Sequence, residues 1–313
     1  MALLALLFGC ATRPPELNPA ATAHLPRRVE LVDTPFHPQD EYQCGPAALA
    51  TVLNAVHVDV SPQALTSEVY IPGRKGSLSV ELIAAARTRD RLAYQLDANV
   101  GALLEEIAAG RPVLVMQNLA LKIAPTWHFA VVVGYDLDAR TFVLRSGTVE
   151  RLVMSERGFL RTWDLADRWA IVVLEPRELP VNADLHRYMA AAAGLEATGR
   201  LDAAAVAYTK AHEHWPASAW PALGVANVSY AQRDWAKAEH GYRTALAIDP
   251  SNVVANNNLA ELLLERGCIA QARVYAERAS KAAIGTPLEE AARATASKMQ
   301  RTVEHTNAAC ESD

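Results

Sequence analysis

Cys44 sits in Gln43-Cys44-Gly45-Pro46-Ala47-Ala48-Leu49, at the start of a segment with helical apolar spacing (Ala47, Ala48, Leu49, Val52, Leu53, Val56). Pro46 suits a first helical turn, where its missing N–H costs nothing, and Gly45 leaves the thiol open to approach. A sulfur in that place meets unpaired backbone N–H groups and the positive end of the helix dipole, so its pKa is expected to be lowered. His128 begins the strand-like run His128-Phe129-Ala130-Val131-Val132-Val133-Gly134-Tyr135, so its imidazole can be aimed from a sheet rim at a helix start. Gln39 lies five residues before Cys44, and its amide can join the Cys44 N–H at the oxygen of a tetrahedral intermediate. A thiol, an imidazole and an amide donor are the parts of nucleophilic acyl transfer.

The elements that must carry these residues mix helix and strand between Val29 and Pro180. Gly45–Val56, Ser79–Arg89 and Val100–Ala109 have helical periodicity, and Gly110 is a left-handed cap for the third. Short apolar runs predict strands over Pro112–Gln117, His128–Tyr135, Thr141–Arg145 and Trp169–Leu174, the second and third joined by a hairpin at 136–140. Helices first and an antiparallel sheet after make an α+β domain.

Pro38-Gln39, four residues, Cys44-Gly45-Pro46-Ala47 and then the His128–Asp136 run resemble the C39-like, papain-fold cysteine peptidases over about residues 30–175. The resemblance implies Cys44 as nucleophile, His128 as general base and acid, and Gln39 as oxyanion donor, with peptide-bond hydrolysis through an acyl-enzyme and no cofactor. Relatives usually carry an Asp on the strand after the His hairpin. Here Val143-Leu144-Arg145-Ser146-Gly147-Thr148 fills that stretch, with no carboxylate. Three residues remain as partners for His128. Ser146 can accept the imidazole N–H without a charge, Asp136 is close in sequence but beyond a turn, and Asp164 would need its loop to fold back.

After Pro180 the chain turns Ala-rich and repeats itself at 34 residues, as the positions 199, 233 and 267 show. Gly199, Arg233 and Gly267 align, as do Leu201, Trp235 and Ile269, then Ala204, Ala238 and Ala272. Tyr208, Tyr242 and Ala276 follow, then Ala211, Ala245 and Ala279, with Pro216 and Pro250 closing the first two units. The pattern resembles the tetratricopeptide repeat over about 185–286, with Leu288–His305 as a capping helix. Such repeats stack into a solenoid that binds peptides or partner proteins. His212, His214 and Trp215 read as surface and packing residues rather than metal ligands.

The N-terminus supplies the last motif. Ala2–Phe8 is apolar and is followed by Gly9-Cys10; Leu7-Phe8-Gly9-Cys10 resembles the lipobox of bacterial lipoproteins, which implies lipidation at Cys10. The domain plan is then a signal peptide over 1–10, a Pro/Ala-rich tether over 11–28, a C39-like domain over 29–180 and a tetratricopeptide-repeat domain over 185–305. The implied location is the bacterial envelope, at the periplasmic face of the outer membrane. Thirty Lys and Arg against 35 Asp and Glu argue against nucleic acid and a polybasic membrane surface, leaving the lipid as the only membrane contact. The four cysteines form no CxxC pair, so neither a metal nor a disulfide scaffold is implied; no structural disulfide is expected between Cys268 and Cys310. The expected partners are a peptide or protein substrate and a protein bound by the repeats. The leading function is a cysteine peptidase. The alternatives are a non-catalytic peptide-binding lipoprotein on the same scaffold and thiol-dependent acyl or amide transfer.

Overall fold

A computed structural model describes residues 19–39, 43–301 and Cys310. Cys10, residues 11–18 of the tether and the last residues of the capping segment lie outside them. The chain divides into two compact units, one ending at Ala85 and resuming over Gln95–Val173, the other made of Ala86–Tyr94 and everything from Leu174.

The first stretch of chain carries α1 (Pro19–Thr22), β1 (Arg28–Glu30), α2 (Cys44–Ala55), α3 (Pro62–Val69), the hairpin strands β2 (Tyr70–Ile71) and β3 (Gly76–Ser77), and α4 (Ser79–Arg87). It continues with β4 (Leu92–Gln95), α5 (Val100–Ala108), β5 (Val113–Asn118), β6 (Trp127–Asp136), β7 (Thr141–Ser146), β8 (Val149–Ser155), α6 (Glu156–Asp164) and β9 (Ala170–Leu174). The main sheet contains the strand order β9-β5-β6-β7-β8, and these neighbours pair antiparallel. β1 pairs antiparallel with the far end of β6, Arg28 opposite Asp136 and Glu30 opposite Gly134. Val131, Val132 and Val133 on β6 are fully buried, as befits a strand covered on both faces. α2 is buried from Gly45 to Leu53 and packs against β6, which explains its continuous apolar composition.

The strands and helices expected between Val29 and Pro180 are all present, each within two residues of its expected ends. The structure adds β1, α3, β4, β8 and α6. Asp164 therefore ends a helix instead of lying in a loop, and its carboxylate pairs with Arg168 one turn on.

The second unit is built of helix pairs: α7 (Leu185–Ala197) with α8 (Leu201–His214), α9 (Ala219–Ala231) with α10 (Trp235–Ile248), and α11 (Val253–Glu265) with α12 (Ile269–Ala282). A last helix, α13 (Glu289–Arg301), packs against α11 and α12. The aligned alanines are the contact surface: Ala204, Ala238, Ala272, Ala211, Ala245 and Ala279 are all at 0% exposure. Small side chains at these places let the helices approach closely. Gly199, Arg233 and Gly267 share a left-handed backbone, φ 73°, 61° and 79°, at the turn inside each pair. Cys268 and Cys310, 42 residues apart, are joined in a disulfide, contrary to the expectation that they stay unpaired. The cause is spatial: Cys310 packs against the apolar cluster that contains Cys268, Ala272 and Met299.

Candidate active site

Cys44 is the first residue of α2. Its neighbour Gly45 must lack a side chain, because a Cβ there would collide with the Ser77 hydroxyl on β3. The backbone N–H groups of Phe129, Gly45 and Cys44 itself face the sulfur and favour the thiolate, but burial outweighs them and pushes the thiol above its ordinary value. The expected lowering of the pKa is thus reversed. A helix start supplies donors, yet the sheet and the β2–β3 hairpin that close over it remove water.

His128 is the second residue of β6, opposite Gln117 on β5. Burial holds its imidazole below the ordinary value, since the cation loses hydration. At neutral pH the two groups are therefore a neutral thiol and a neutral imidazole. Nε2 of His128 lies 2.8 Å from the Ser146 hydroxyl, at the end of β7. With the Nε2 hydrogen donated to Ser146, Nδ1 is the basic nitrogen. Asp136 is eight residues along β6, about 26 Å away at the usual rise, and its carboxylate accepts the N–H groups of Asp138 and Ala139 at 3.0 and 2.7 Å. With Asp164 paired to Arg168, Ser146 is the one of the three candidate partners that reaches the ring.

Gln39, Cys44 and His128 line a single cavity of about 580 Å³. Trp127, half exposed, stands at its rim, and Arg74–Leu78 with Pro125 and Thr126 complete the wall. The backbone N–H of Gln39 donates to the Gly147 carbonyl at 3.1 Å, which fixes the approach of its side chain. The wall segment Arg74–Ser77 was not singled out by its chemistry. Its signal is the turn string Pro72-Gly73-Arg74-Lys75-Gly76-Ser77, which marks a hairpin but not where the hairpin folds.

These residues fall within a match to known sequences. Residues 31–150 match the model of the Peptidase_C39 like family. The C39-like match covers less than half of the chain; residues 242–274 separately match a tetratricopeptide repeat model. No curated protein matches the chain. Among solved structures, a putative C39-like peptidase from Bacillus anthracis is 18% identical, covering 48% of this chain and 98% of its own, with a TM-score of 0.40. The peptidase domain of Streptococcus ComA, a bifunctional ABC transporter of a quorum-sensing pathway, is 20% identical over 45% of this chain and 98% of its own, TM-score 0.37. The Yersinia enterocolitica type III secretion translocator chaperone SycD is 19% identical over 37% of this chain and 81% of its own, TM-score 0.35.

The repeat unit has a smaller cavity of about 240 Å³ lined by Asn227, Tyr230, Tyr242, Asn258 and Glu261. Asn227 is its hub: the amide oxygen accepts the Tyr242 hydroxyl at 3.0 Å and the Asn258 amide at 3.1 Å. His214 packs edge-on against Trp215, a packing role. Among the described residues no cluster of His, Cys, Asp and Glu could hold a metal ion.

Proposed function

We propose that the protein is a cysteine peptidase that cleaves a peptide through an acyl-enzyme, with the repeats holding a protein or peptide partner. The observation that carries this reading is the shared cavity of Gln39, Cys44 and His128, with Nε2 of His128 engaged by Ser146. Because thiol and imidazole rest neutral, His128 acts as a general base during attack rather than as half of a standing ion pair. Cys44 Sγ bonds to the scissile carbonyl carbon as its proton passes to Nδ1 of His128. The developing oxyanion takes N–H donors from the Gln39 side chain and the Cys44 backbone. Collapse breaks the C–N bond, and the imidazolium gives its proton to the departing amine. Water then attacks the thioester with His128 as base, releasing the acid and the thiol. Localisation follows the same proposal: lipidation at Cys10 tethers the protein to the bacterial envelope, and the Cys268–Cys310 disulfide supports an oxidising compartment.

Two measurements on the full chain test it. Iodoacetamide should alkylate Cys44 in native protein, and His128→Ala should slow this at least tenfold near pH 7, because the base is lost. A mixed peptide library analysed by mass spectrometry should yield products carrying one added water, absent with Cys44→Ala. Products joined to an added amine would replace hydrolysis by transfer. An inert thiol with no product would leave a peptide-binding scaffold, the reading that the uncharged Ser146 favours.

A further inference from the structure

The turn between β7 and β8 joins the candidate site at successive residues. Ser146 holds His128, as described. Gly147, at φ 60°, presents its carbonyl to the Gln39 N–H. Arg145, pointing to the opposite face of β7 from Ser146, is 6% exposed and donates to three backbone carbonyls: Thr34 at 3.2 Å, Val32 at 3.0 Å and Glu150 at 2.8 Å.

These bonds matter because of what the segment before Gln39 lacks. β1 ends at Glu30, and the Leu31 N–H to Val133 carbonyl bond, 2.7 Å, continues its pairing one residue further. From Val32 to Gln39 the chain has no strand partner. The guanidinium substitutes for one, gripping the Val32 and Thr34 carbonyls of the turn that the Thr34 N–H closes on the Leu31 carbonyl at 3.1 Å, and so holds that turn against β7. His37 ties the same segment to α2 through Asn54 at 2.7 Å, and Gly147 takes the Gln39 N–H. A buried guanidinium is costly unless its N–H groups are used, and an apolar side chain would fill the space more favourably. Its use here is to fix a loop that ends at an oxyanion donor.

We propose that Arg145 is a positioning residue for Gln39: by clamping the 32–34 backbone to the β7–β8 turn it sets the oxyanion side of the site independently of the Cys44–His128 pair. This rests on the peptidase reading, and the test separates the two. Acetyl-glycinal forms a hemithioacetal whose oxygen needs the oxyanion donors, whereas iodoacetamide needs only the thiol and its base. In the full chain, Arg145→Lys, which retains the charge but loses the fork, should weaken acetyl-glycinal binding about 10- to 100-fold and change the iodoacetamide rate less than twofold. Gln39→Ala should lose a similar factor, and the double variant should lose no more than the larger single, since both act through one donor. Added guanidinium ion should partly restore binding to Arg145→Ala. Should Arg145→Lys fail to fold, as judged by its melting curve, Gly147→Ala asks the same question by straining the left-handed turn. Aldehyde affinity unchanged in a folded Arg145 or Gly147 variant overturns the proposal, as does a parallel fall in both probes or full additivity with Gln39→Ala. Wild-type Cys44 that reacts with neither probe overturns the peptidase reading instead.

Discussion

Ser146 stands where its hydroxyl meets Nε2 of His128 at 2.8 Å, and a hydroxyl can orient an imidazole but cannot balance the charge of an imidazolium. Burial already disfavours that cation, so the imidazole is a weak base. Ser146→Asp should supply the missing charge. A carboxylate beside Nε2 raises the His128 pKa, so the ascending limb of the pH–rate profile, which lies below about 6.5 in the wild type, should move to higher pH. Turnover above that limb should rise about tenfold, and Ser146→Ala should lower it by a similar factor without moving the limb upward. The pH profile together with NMR titration of the His128 ring checks both; an unmoved limb in Ser146→Asp would deny the contact a role. At this scale Cys44, His128 and Gln39 were legible because each has a neighbour sequence that fixes its place: a Gly-Pro helix start, a long apolar strand, a Pro-led loop. The thiol's raised pKa was not, because burial outweighs the backbone N–H donors around the sulfur, and that burial comes from elements far apart in the chain.

The same division holds for elements. β6 was plain in sequence because both its faces are buried and it reads as one apolar run. β8 was not, because it is the last strand on its side of the sheet and most of its residues are exposed; Val149-Glu150-Arg151 reads as loop. β1 is three residues long, too short for any period, and is made by pairing with β6 alone. The repeat helices, by contrast, were legible at the level of single positions, since local stacking recurs every 34 residues and the aligned alanines all proved buried. One position in that register is anomalous. Arg233 holds φ 61° where its counterparts Gly199 and Gly267 hold 73° and 79°, and a side chain in the left-handed region is strained by roughly 1 kcal/mol. Arg233→Gly should therefore stabilise the repeat unit by about 0.5–1 kcal/mol, the relief of strain being partly offset by the freer unfolded chain. A rise of a few degrees in the helical melting transition is the expected reading. Lower stability would mean that the Arg233 side chain contributes more than its backbone costs.

At the scale of the molecule, the second unit raises the question of how so short a stack ends. Three helix pairs are near the minimum for a repeat array, and the terminal face of the third pair must be covered. α13 covers part of it through Ala292 and Met299, and Cys310 closes on Cys268 beside the same cluster, with its carbonyl accepting the Gln271 amide at 2.8 Å. The disulfide ties residues 42 apart, so in the unfolded chain it removes the freedom of a long loop that includes α12 and α13. The chain-entropy estimate for a loop of that size is about 4 kcal/mol, an upper value because strain and residual structure subtract from it. Two results are expected with the intact chain. Cys268 and Cys310 should resist maleimide under native, non-reducing conditions and label after dithiothreitol. The helical melting transition should fall by several degrees on reduction, and Cys310→Ser should reproduce the fall without any reductant. The paired result matters, because reductant alone also keeps Cys44 in its thiol form and so changes two things at once. If Cys310→Ser melts where the oxidised wild type does, the bridge adds nothing to the cap, and α13 alone is enough to end the stack.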